Sequence, residues 1–214
     1  MHGHSYCIYC KTPRFHSTIW PRRPTCEQVR LPNVTSGTTR IPSSCHTTFM
    51  FKPKPIPPKP GQESVWDYPR PPRLEPVHKH IVIELGGVKI AETHRAYRVL
   101  ETSHAPVYYI PLEDVKQDVL GHSSNTSACE WKGSARYFSL HVGGKIVKDA
   151  AWFYPDPTPA FAPIKDYLAF YAHPMDACYV DGELVTPQPG NFYGGWITAD
   201  VVGPFKGEPG SWGW

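Results

Sequence analysis

The sequence has no apolar run long enough to cross a membrane and few cysteines after its first sixty residues. No stretch approaches the ~20 consecutive apolar residues of a membrane-spanning helix. Only Cys129 and Cys178 lie beyond residue 60, which excludes the disulfide framework of a small secreted domain. We therefore expect a cytoplasmic protein that does not bind membranes.

The sequence also lacks the motifs that bind nucleotide phosphates or metals. It contains neither a Walker lysine loop nor a Rossmann glycine pattern. The pair Cys7 and Cys10 has no second pair of the kind that a zinc knuckle needs, and the histidines show no ligand spacing. The sequence therefore predicts no metal and no cofactor.

Acidic residues are nearly absent from the first sixty positions. Glu27 is the only one there, against nine Lys and Arg, and ten of the 25 prolines lie in the same segment. Its scattered apolar residues cannot offset the entropy cost of ordering it. The composition predicts that residues 1–60 form a disordered basic arm and that residues 61–214 form one domain.

Three interpretations of the arm stay open. A basic segment that is poor in acids is typical of a mitochondrial transit peptide, although its prolines oppose a helix. Its charge would attract nucleic acid, but its basic residues are spread out. Residues 61–214 carry eighteen Asp and Glu against thirteen Lys and Arg, so we expect no nucleic-acid partner. Met50, which directly precedes a proline-rich segment, is an alternative start of translation.

Residues 61–214 show the pattern of strands joined by tight turns. Three two-residue turns separate segments rich in β-forming residues: Gly86-Gly87, Gly143-Gly144 and Asp181-Gly182. Such turns are typical of β-hairpins. Val107–Ile110 predicts a further strand, and short helices are predicted to begin at Pro111 and to span Ile164–Tyr171. The domain is therefore predicted to be mainly β, with antiparallel sheets and one or two short helices.

Three strings dense in Trp, Tyr, Arg, Glu and Pro resemble a known family. They are ESVWDYPRPPRLEP (63–76), RVLETSHAPVYYIPLEDV (98–115), and CEWKGSARYF with AAWFYPDP (129–157). By these strings the chain resembles the family catalogued as domain of unknown function 427. The resemblance implies a β-tent fold, which is shared with Mss4-like and methionine-sulfoxide-reductase-B-like proteins. Those relatives often hold zinc between two Cys-x-x-Cys pairs, which this domain lacks.

Glu101 is the predicted acid or base. Because Tyr108 and Tyr109 follow closely, its carboxyl is predicted to lie in an aromatic pocket where desolvation raises its pKa. The alternative is an exposed ion pair with Arg95, Arg98 or Lys132. His104 is a second candidate base or a solvated loop residue.

Lys132 belongs to the string Cys-Glu-Trp-Lys-Gly (129–133), which matches a Cys-x-x-Lys-Gly element of the resembled family. Its ammonium would either lower the pKa of the Cys129 thiol or hold an anionic substrate. The alternative is an ion pair with Asp114. Because no pattern places Cys178 opposite Cys129, we expect Cys129 to be buried and structural.

The abundance of Tyr and Trp predicts a binding pocket, because their polar tips need partners when buried. We predict an enzyme that acts on a small-molecule metabolite by metal-independent acid–base chemistry, as an isomerase, hydratase or lyase. The predicted catalytic residues are Glu101, Tyr109 and Lys132. The predicted substrate-binding residues are Arg98, Asp114, Trp131, Trp152 and Tyr154.

Two other functions stay open. The same pocket would serve a binding module without turnover. The resembled family has also been labelled nucleotidyltransferase-like, a chemistry that needs a pair of acidic residues for divalent ions after a glycine turn. Gly86-Gly87 is followed by KIAETHRAY, which contains no such pair.

Overall fold

Short β-strands account for most of the regular structure. A computed structural model describes residues 53–190, 192–211 and 214, and these residues belong to one unit that spans Met50–Trp214. The predictions for Met50, Cys7 and Cys10, and for most of the basic arm, fall outside the described residues.

The strands are numbered in chain order. They are β1 (Glu63–Ser64), β2 (Arg73–Val77), β3 (Ile81–Leu85), β4 (Val88–Thr93), β5 (Ala96–Leu100), β6 (Val107–Pro111), β7 (Leu120–Cys129), β8 (Gly133–Val142), β9 (Lys145–Phe153), β10 (Tyr167–Phe170), β11 (Ala177–Val180), β12 (Glu183–Leu184), β13 (Thr186–Pro187), β14 (Trp196–Ile197) and β15 (Val201–Val202). The 3₁₀ helices are Leu112–Asp114, Gln117–Val119 and Pro159–Ile164.

All three predicted glycine turns are confirmed. They join β3 to β4, β8 to β9 and β11 to β12. Both residues of each turn have a positive φ, between 51° and 81°. This is the backbone of a type I′ turn, which glycine adopts without steric cost.

One of the two predicted helices is wrong. Leu112–Asp114 does form a short helix after Pro111, as predicted. The segment Ile164–Tyr171 instead ends one 3₁₀ helix at Ile164 and then forms strand β10. β10 pairs with β6 on one side and β9 on the other. The hydrogen bonds of two neighbouring strands therefore decide the conformation of this segment against its local pattern.

The strands form two main sheets. Seven strands make one sheet in the order β2-β5-β6-β10-β9-β8-β7, and four make another in the order β12-β11-β3-β4. All pairs of these two sheets are antiparallel, and β1 and β15 form a short parallel pair. The prediction of a mainly β, antiparallel domain is confirmed.

The two faces of the seven-stranded sheet pack differently, because successive side chains of a strand point to opposite faces. One face joins the four-stranded sheet in the main core, where Ile110 and Leu168 lie with Ile83 and Leu85. We call this the core face. The opposite face, which we call the aromatic face, carries Tyr109 and a second buried cluster. The helix Pro159–Ile164 packs on it through Phe161 and Ile164.

Candidate functional site

An aromatic row crosses five neighbouring strands on the aromatic face. The register aligns residues of β5, β6, β10, β9 and β8: Tyr97, Tyr109, Ala169, Trp152 and Tyr137. Because Ala169 carries only a methyl group, the rings on either side of it approach one another. The Tyr109 and Trp152 ring centroids lie 6.4 Å apart in an edge-to-face arrangement, a favourable geometry for aromatic pairs.

Tyr109 lies at the buried centre of this row and is 1 % exposed. Burial raises the pKa of its phenol, and side-chain hydrogen bonds with Trp152 and Tyr154 offset this only in part. The phenol therefore stays protonated at neutral pH. A protonated phenol can donate a hydrogen bond or a proton, but it cannot act as a base.

The turn between β7 and β8 brings Trp131 and Lys132 to the same face. Cys129 pairs with Gly133 at its base, and Gly133 has a φ of 98°, which favours glycine. Thr158 holds the main chain of the turn. Its hydroxyl donates to the Trp131 carbonyl at 2.6 Å, and its N–H donates to the Lys132 carbonyl at 3.2 Å.

Lys132 is buried, with 8 % of its surface exposed. Its Nζ lies 5.9 Å from the ring centroid of Tyr154 and 5.5 Å from that of Phe161. Among residues 53–190, 192–211 and 214, no carboxylate forms an ion pair with it. The predicted alternative partner, Asp114, pairs with Arg95. A lysine rarely lies inside a protein without an ion pair, and cation–π contacts are the compensation in this cluster.

Trp131 supplies a second donor. Its indole Nε1 is buried and has no hydrogen-bond partner within the described part of the chain. An unpaired buried donor costs stability, and most buried polar atoms are paired. Two successive residues of one turn thus carry donors without an acceptor among the described residues, and of the two the indole N–H is the buried one.

Five of the predicted site residues therefore share one region. We call the group of Tyr109, Trp131, Lys132, Trp152 and Tyr154 the Lys132 cluster. Lys132 lies over Tyr154, and Tyr154 lies 6.4 Å from Tyr109, measured between ring centroids. All four aromatic members pack in the same hydrophobic cluster.

Arg98 has other partners, on the opposite side of its strand. Its guanidinium, with a side chain that is 13 % exposed, contacts Glu75 at 2.5 Å and Glu63 at 2.9 Å. Burial would raise the pKa of Glu63, but hydrogen bonds from Arg98 and Tyr68 outweigh it and lower that pKa below 4.5. Arg98 thus ties the first two strands to β5.

Glu101 forms an ion pair with Arg70, with 2.5 Å between Oε1 and Nη2. Its side chain is 20 % exposed. The predicted alternative partners were Arg95, Arg98 and Lys132, and Arg70 was missed. The assignment of Glu101 as the acid or base stays a prediction.

His104 lies close enough to Glu101 for the two charges to interact. Burial lowers the pKa of the His104 imidazole, and the negative charge of Glu101 opposes this shift. Its Nδ1 donates to the Thr102 carbonyl at 2.9 Å, so Nε2 is the acceptor of the neutral ring. The ring packs edge-on against Tyr193 at 5.1 Å.

Asp114 is bound next to the β4–β5 turn. The Arg95 guanidinium donates to it at 2.8 Å and the Thr93 hydroxyl at 2.6 Å. The hydrogen bond from Arg95 is the main cause that lowers the pKa of Asp114. Of the predicted site residues Glu101, Tyr109, Asp114 and Lys132, only Tyr109 and Lys132 thus belong to one cluster, because Glu101 pairs with Arg70 and Asp114 with Arg95.

Cys129 is partly exposed, which corrects the prediction that it is buried. It lies at the base of the β7–β8 turn and packs at the margin of the aromatic cluster. Cys178 is buried in β11, and burial raises the pKa of its thiol to about 12. Neither is in a disulfide.

A concave surface lies apart from the Lys132 cluster, beside the β11–β12 turn. It has a volume of about 370 Å³, and its lining includes Lys79, Asp181, Glu183 and Asp200. Its charged groups are already paired within the protein. Lys79 binds Asp200, Asp181 accepts from the His80 N–H, and Glu183 accepts from the Ala199 N–H. It offers a ligand fewer unsatisfied groups than the Lys132 cluster.

Residues 53–190, 192–211 and 214 contain neither a metal-binding group nor a membrane-spanning helix. No group of three or more His, Cys, Asp and Glu side chains is arranged there to hold a metal ion. None of the helices in this part is long and apolar enough to span a bilayer.

Comparison with known proteins gives one family match. No curated protein matches the chain. A family model matches residues 73–181, about half of the chain, which include β2 to β11 and every member of the Lys132 cluster. The chain belongs to the family described as Domain of unknown function (DUF427).

Proposed function

We propose that this protein is an enzyme that acts on a small molecule by acid–base chemistry, and that its site is the Lys132 cluster. The observation that carries the proposal is the buried indole Nε1 of Trp131, which has no hydrogen-bond partner among the described residues. The next residue, Lys132, is 8 % exposed, and its Nζ lies near the rings of Tyr154 and Phe161 without a carboxylate partner in the described part of the chain. Folding alone does not favour an unpaired buried donor, and such a group is a candidate for a functional role.

The chemistry of the cluster suits a reaction in which an oxygen of the substrate gains negative charge. The Lys132 ammonium would stabilise that charge in surroundings of low polarity. Tyr109, whose raised pKa keeps it protonated, would donate a hydrogen bond or a proton to the same oxygen. Isomerisation, hydration and elimination next to a carbonyl or carboxylate all pass through such a state.

The mechanism also needs a base, for which there are two candidates. Glu101 is the predicted base, and its carboxylate is held by an ion pair with Arg70. His104 interacts with Glu101 and is the alternative. The variants Glu101→Gln and His104→Gln separate the two.

Turnover is tested without knowledge of the substrate. The full chain is incubated with a metabolite extract, and compounds that are consumed or formed are identified by mass spectrometry. Lys132→Met and Tyr109→Phe should each reduce the rate at least about a hundredfold, the usual loss when a stabilising donor is removed. Lys116→Met is the matched control, because Lys116 is exposed and pairs with Asp118.

A binding module is the competing proposal. It predicts compounds that raise the melting temperature of the full chain and depend on Lys132, with no compound consumed. Nucleotidyl transfer has less support, because it needs carboxylates that hold divalent ions, and no group of three or more His, Cys, Asp and Glu side chains is arranged for this among the described residues.

A further inference from the structure

We infer that the ligand of the Lys132 cluster is an aromatic monocarboxylate. The inference rests on the proposed location of the site and adds the chemical class of the molecule that binds there. It follows from three properties of the cluster: its hydrogen-bonding groups, its charge and the rings around it.

The unsatisfied groups of the cluster are donors. The indole Nε1 of Trp131 has no acceptor within the described residues, and an indole N–H can only donate. The ammonium of Lys132, which also can only donate, contacts ring faces. A ligand that satisfies both must supply acceptors, and the two oxygens of a carboxylate accept from two donors at once.

The charge of the cluster selects a single negative charge. Lys132 is the one ionised member of the cluster, since burial keeps the Tyr109 phenol neutral. One ammonium balances one carboxylate. A phosphate monoester carries a charge of about −1.5 to −2 at neutral pH and would leave uncompensated charge in a buried place. A cationic ligand would be repelled by Lys132.

The walls favour a flat ring. Tyr109 packs against both Trp152 and Tyr154, and the Lys132 ammonium also lies over the ring of Phe161. Small-molecule sites are mostly apolar with a few placed polar groups. Rings stacked at an offset or edge-on to these walls would gain contact area and quadrupole attraction. The carboxylate would be at the β7–β8 turn and the ring toward Tyr109.

The test compares ligands that differ only in the polar group. The probes are benzoate, 2-naphthoate and indole-3-carboxylate, the corresponding amides, and benzylamine, each titrated against the full chain by calorimetry and thermal shift. At about 10 mM, a range that detects millimolar affinity, we expect the carboxylates to bind more tightly than their amides and benzylamine not to bind.

Variants connect binding to the two donors. Lys132→Met keeps the length of the side chain and should weaken carboxylate binding about tenfold or more, because it removes a charge-assisted contact. Its effect on the amides should be smaller. Trp131→Phe keeps a ring and should weaken carboxylates about threefold to tenfold. Lys116→Met should change the binding of neither the carboxylates nor the amides. If a variant fails to fold, the order of probe affinities on the unmodified chain tests the inference.

The outcomes separate this inference from the proposed function. Equal or tighter binding of benzylamine or the amides, no binding of any carboxylate, or carboxylate affinity unchanged in Lys132→Met overturns the inference. Lys132-dependent turnover of a neutral compound would then leave the proposed function standing. Lys132-dependent carboxylate binding without turnover of any carboxylate would support the inference and refute the enzyme.

Discussion

The two faces of the seven-stranded sheet bury different kinds of side chain. On the core face, Ile110 and Leu168 meet Ile83 and Leu85 of the other sheet, and these side chains have no polar atoms. On the aromatic face, the buried side chains include Tyr109, Trp152 and Tyr154, with Lys132 beside them. Burial alone explains the four aliphatic side chains, whereas the aromatic face contains an unpaired indole N–H and an ammonium that burial does not require.

This difference is the basis on which the site is proposed. An aliphatic core stabilises a fold in proportion to the area that it removes from water. An unpaired buried indole N–H reduces stability, and a largely buried lysine without an ion pair is unusual, so their presence on the aromatic face needs another explanation. The adjacent residues Tyr109 and Ile110 of β6 point to the two faces and allow the comparison to be tested within one strand.

The largest effect on stability should come from Ile110→Ala. Ile110 is fully buried on the core face, and truncation leaves a cavity between the sheets. We expect a loss of about 3 kcal/mol in the free energy of unfolding, measured by urea denaturation. Ligand affinity of the folded fraction should be unchanged. A loss of affinity at temperatures where the variant is fully folded would show that the faces are not independent.

Arg98→Met should cost about 2 kcal/mol. A fully buried pair would cost roughly 3–5 kcal/mol, but Glu63 and Glu75 keep 41 % and 28 % of their side-chain exposure, so solvent screens part of the loss.

The pH dependence gives a second measurement on Arg98. Because the pKa of Glu63 is lowered in the folded state, its contribution to stability is present above about pH 4.5 and is lost as the pH falls through the lowered pKa. Removal of Arg98 abolishes most of that shift. Stability should therefore fall less steeply below pH 4.5 in Arg98→Met than in the unmodified chain, as measured by urea denaturation at several pH values. An equal slope would contradict the assignment.

Tyr109→Phe should cost only about 1 kcal/mol, because it removes a hydroxyl with its hydrogen bonds and keeps the ring. Its effect on function should be large, with turnover reduced at least about a hundredfold. Of these two neighbouring positions, Ile110→Ala should thus lose more stability and Tyr109→Phe should lose more activity. Equal activity in Tyr109→Phe and the unmodified chain would remove Tyr109 from the mechanism.

Lys132→Met should leave stability unchanged or raise it by up to about 1 kcal/mol, because an apolar side chain of similar length replaces a largely buried lysine that has no ion pair among the described residues. Melting temperature without ligand is the measurement. Lys116→Met provides the exposed control and should stay within about 0.5 kcal/mol. A clear destabilisation by Lys132→Met would mean that the lysine serves the fold, which would weaken both proposals.

The smallest effect on stability should come from Glu101→Gln. An ion pair with a largely exposed arginine contributes little, so we expect a change within about 0.5 kcal/mol. The turnover assay, rather than stability, tests whether Glu101 is the base. Lost turnover at unchanged stability would establish the predicted base, and full turnover would direct attention to His104.

The sequence predicted what depends on local chemistry. The turn at Gly86-Gly87 follows from two residues that tolerate a positive φ. The strand at Tyr167–Phe170 could not be found in this way, because it is set by pairing with β6 and β9. The partner of Glu101 is Arg70, in a separate loop, and short-range spacing carries no information about such a contact.

The candidate site was also predictable only in part, because its assembly depends on contacts between distant segments. The abundance of aromatic residues and the position of Lys132 beside Trp131 identified five members of one cluster. Their assembly depends on the register that places Ala169 between Tyr109 and Trp152, and register cannot be read from composition. Arg98 and Asp114 were grouped with the site because charged residues within aromatic motifs look alike before their partners are known.

The attachment of the β7–β8 turn has a consequence for the evolution of the domain. Thr158 hydrogen-bonds to the carbonyl groups of Trp131 and Lys132, and Gly133, with its positive φ, sets the bend. These hydrogen bonds use main-chain groups that every amino acid shares. Under the proposed function, substitutions at positions 131 and 132 would therefore change what the cluster recognises while the turn keeps its path.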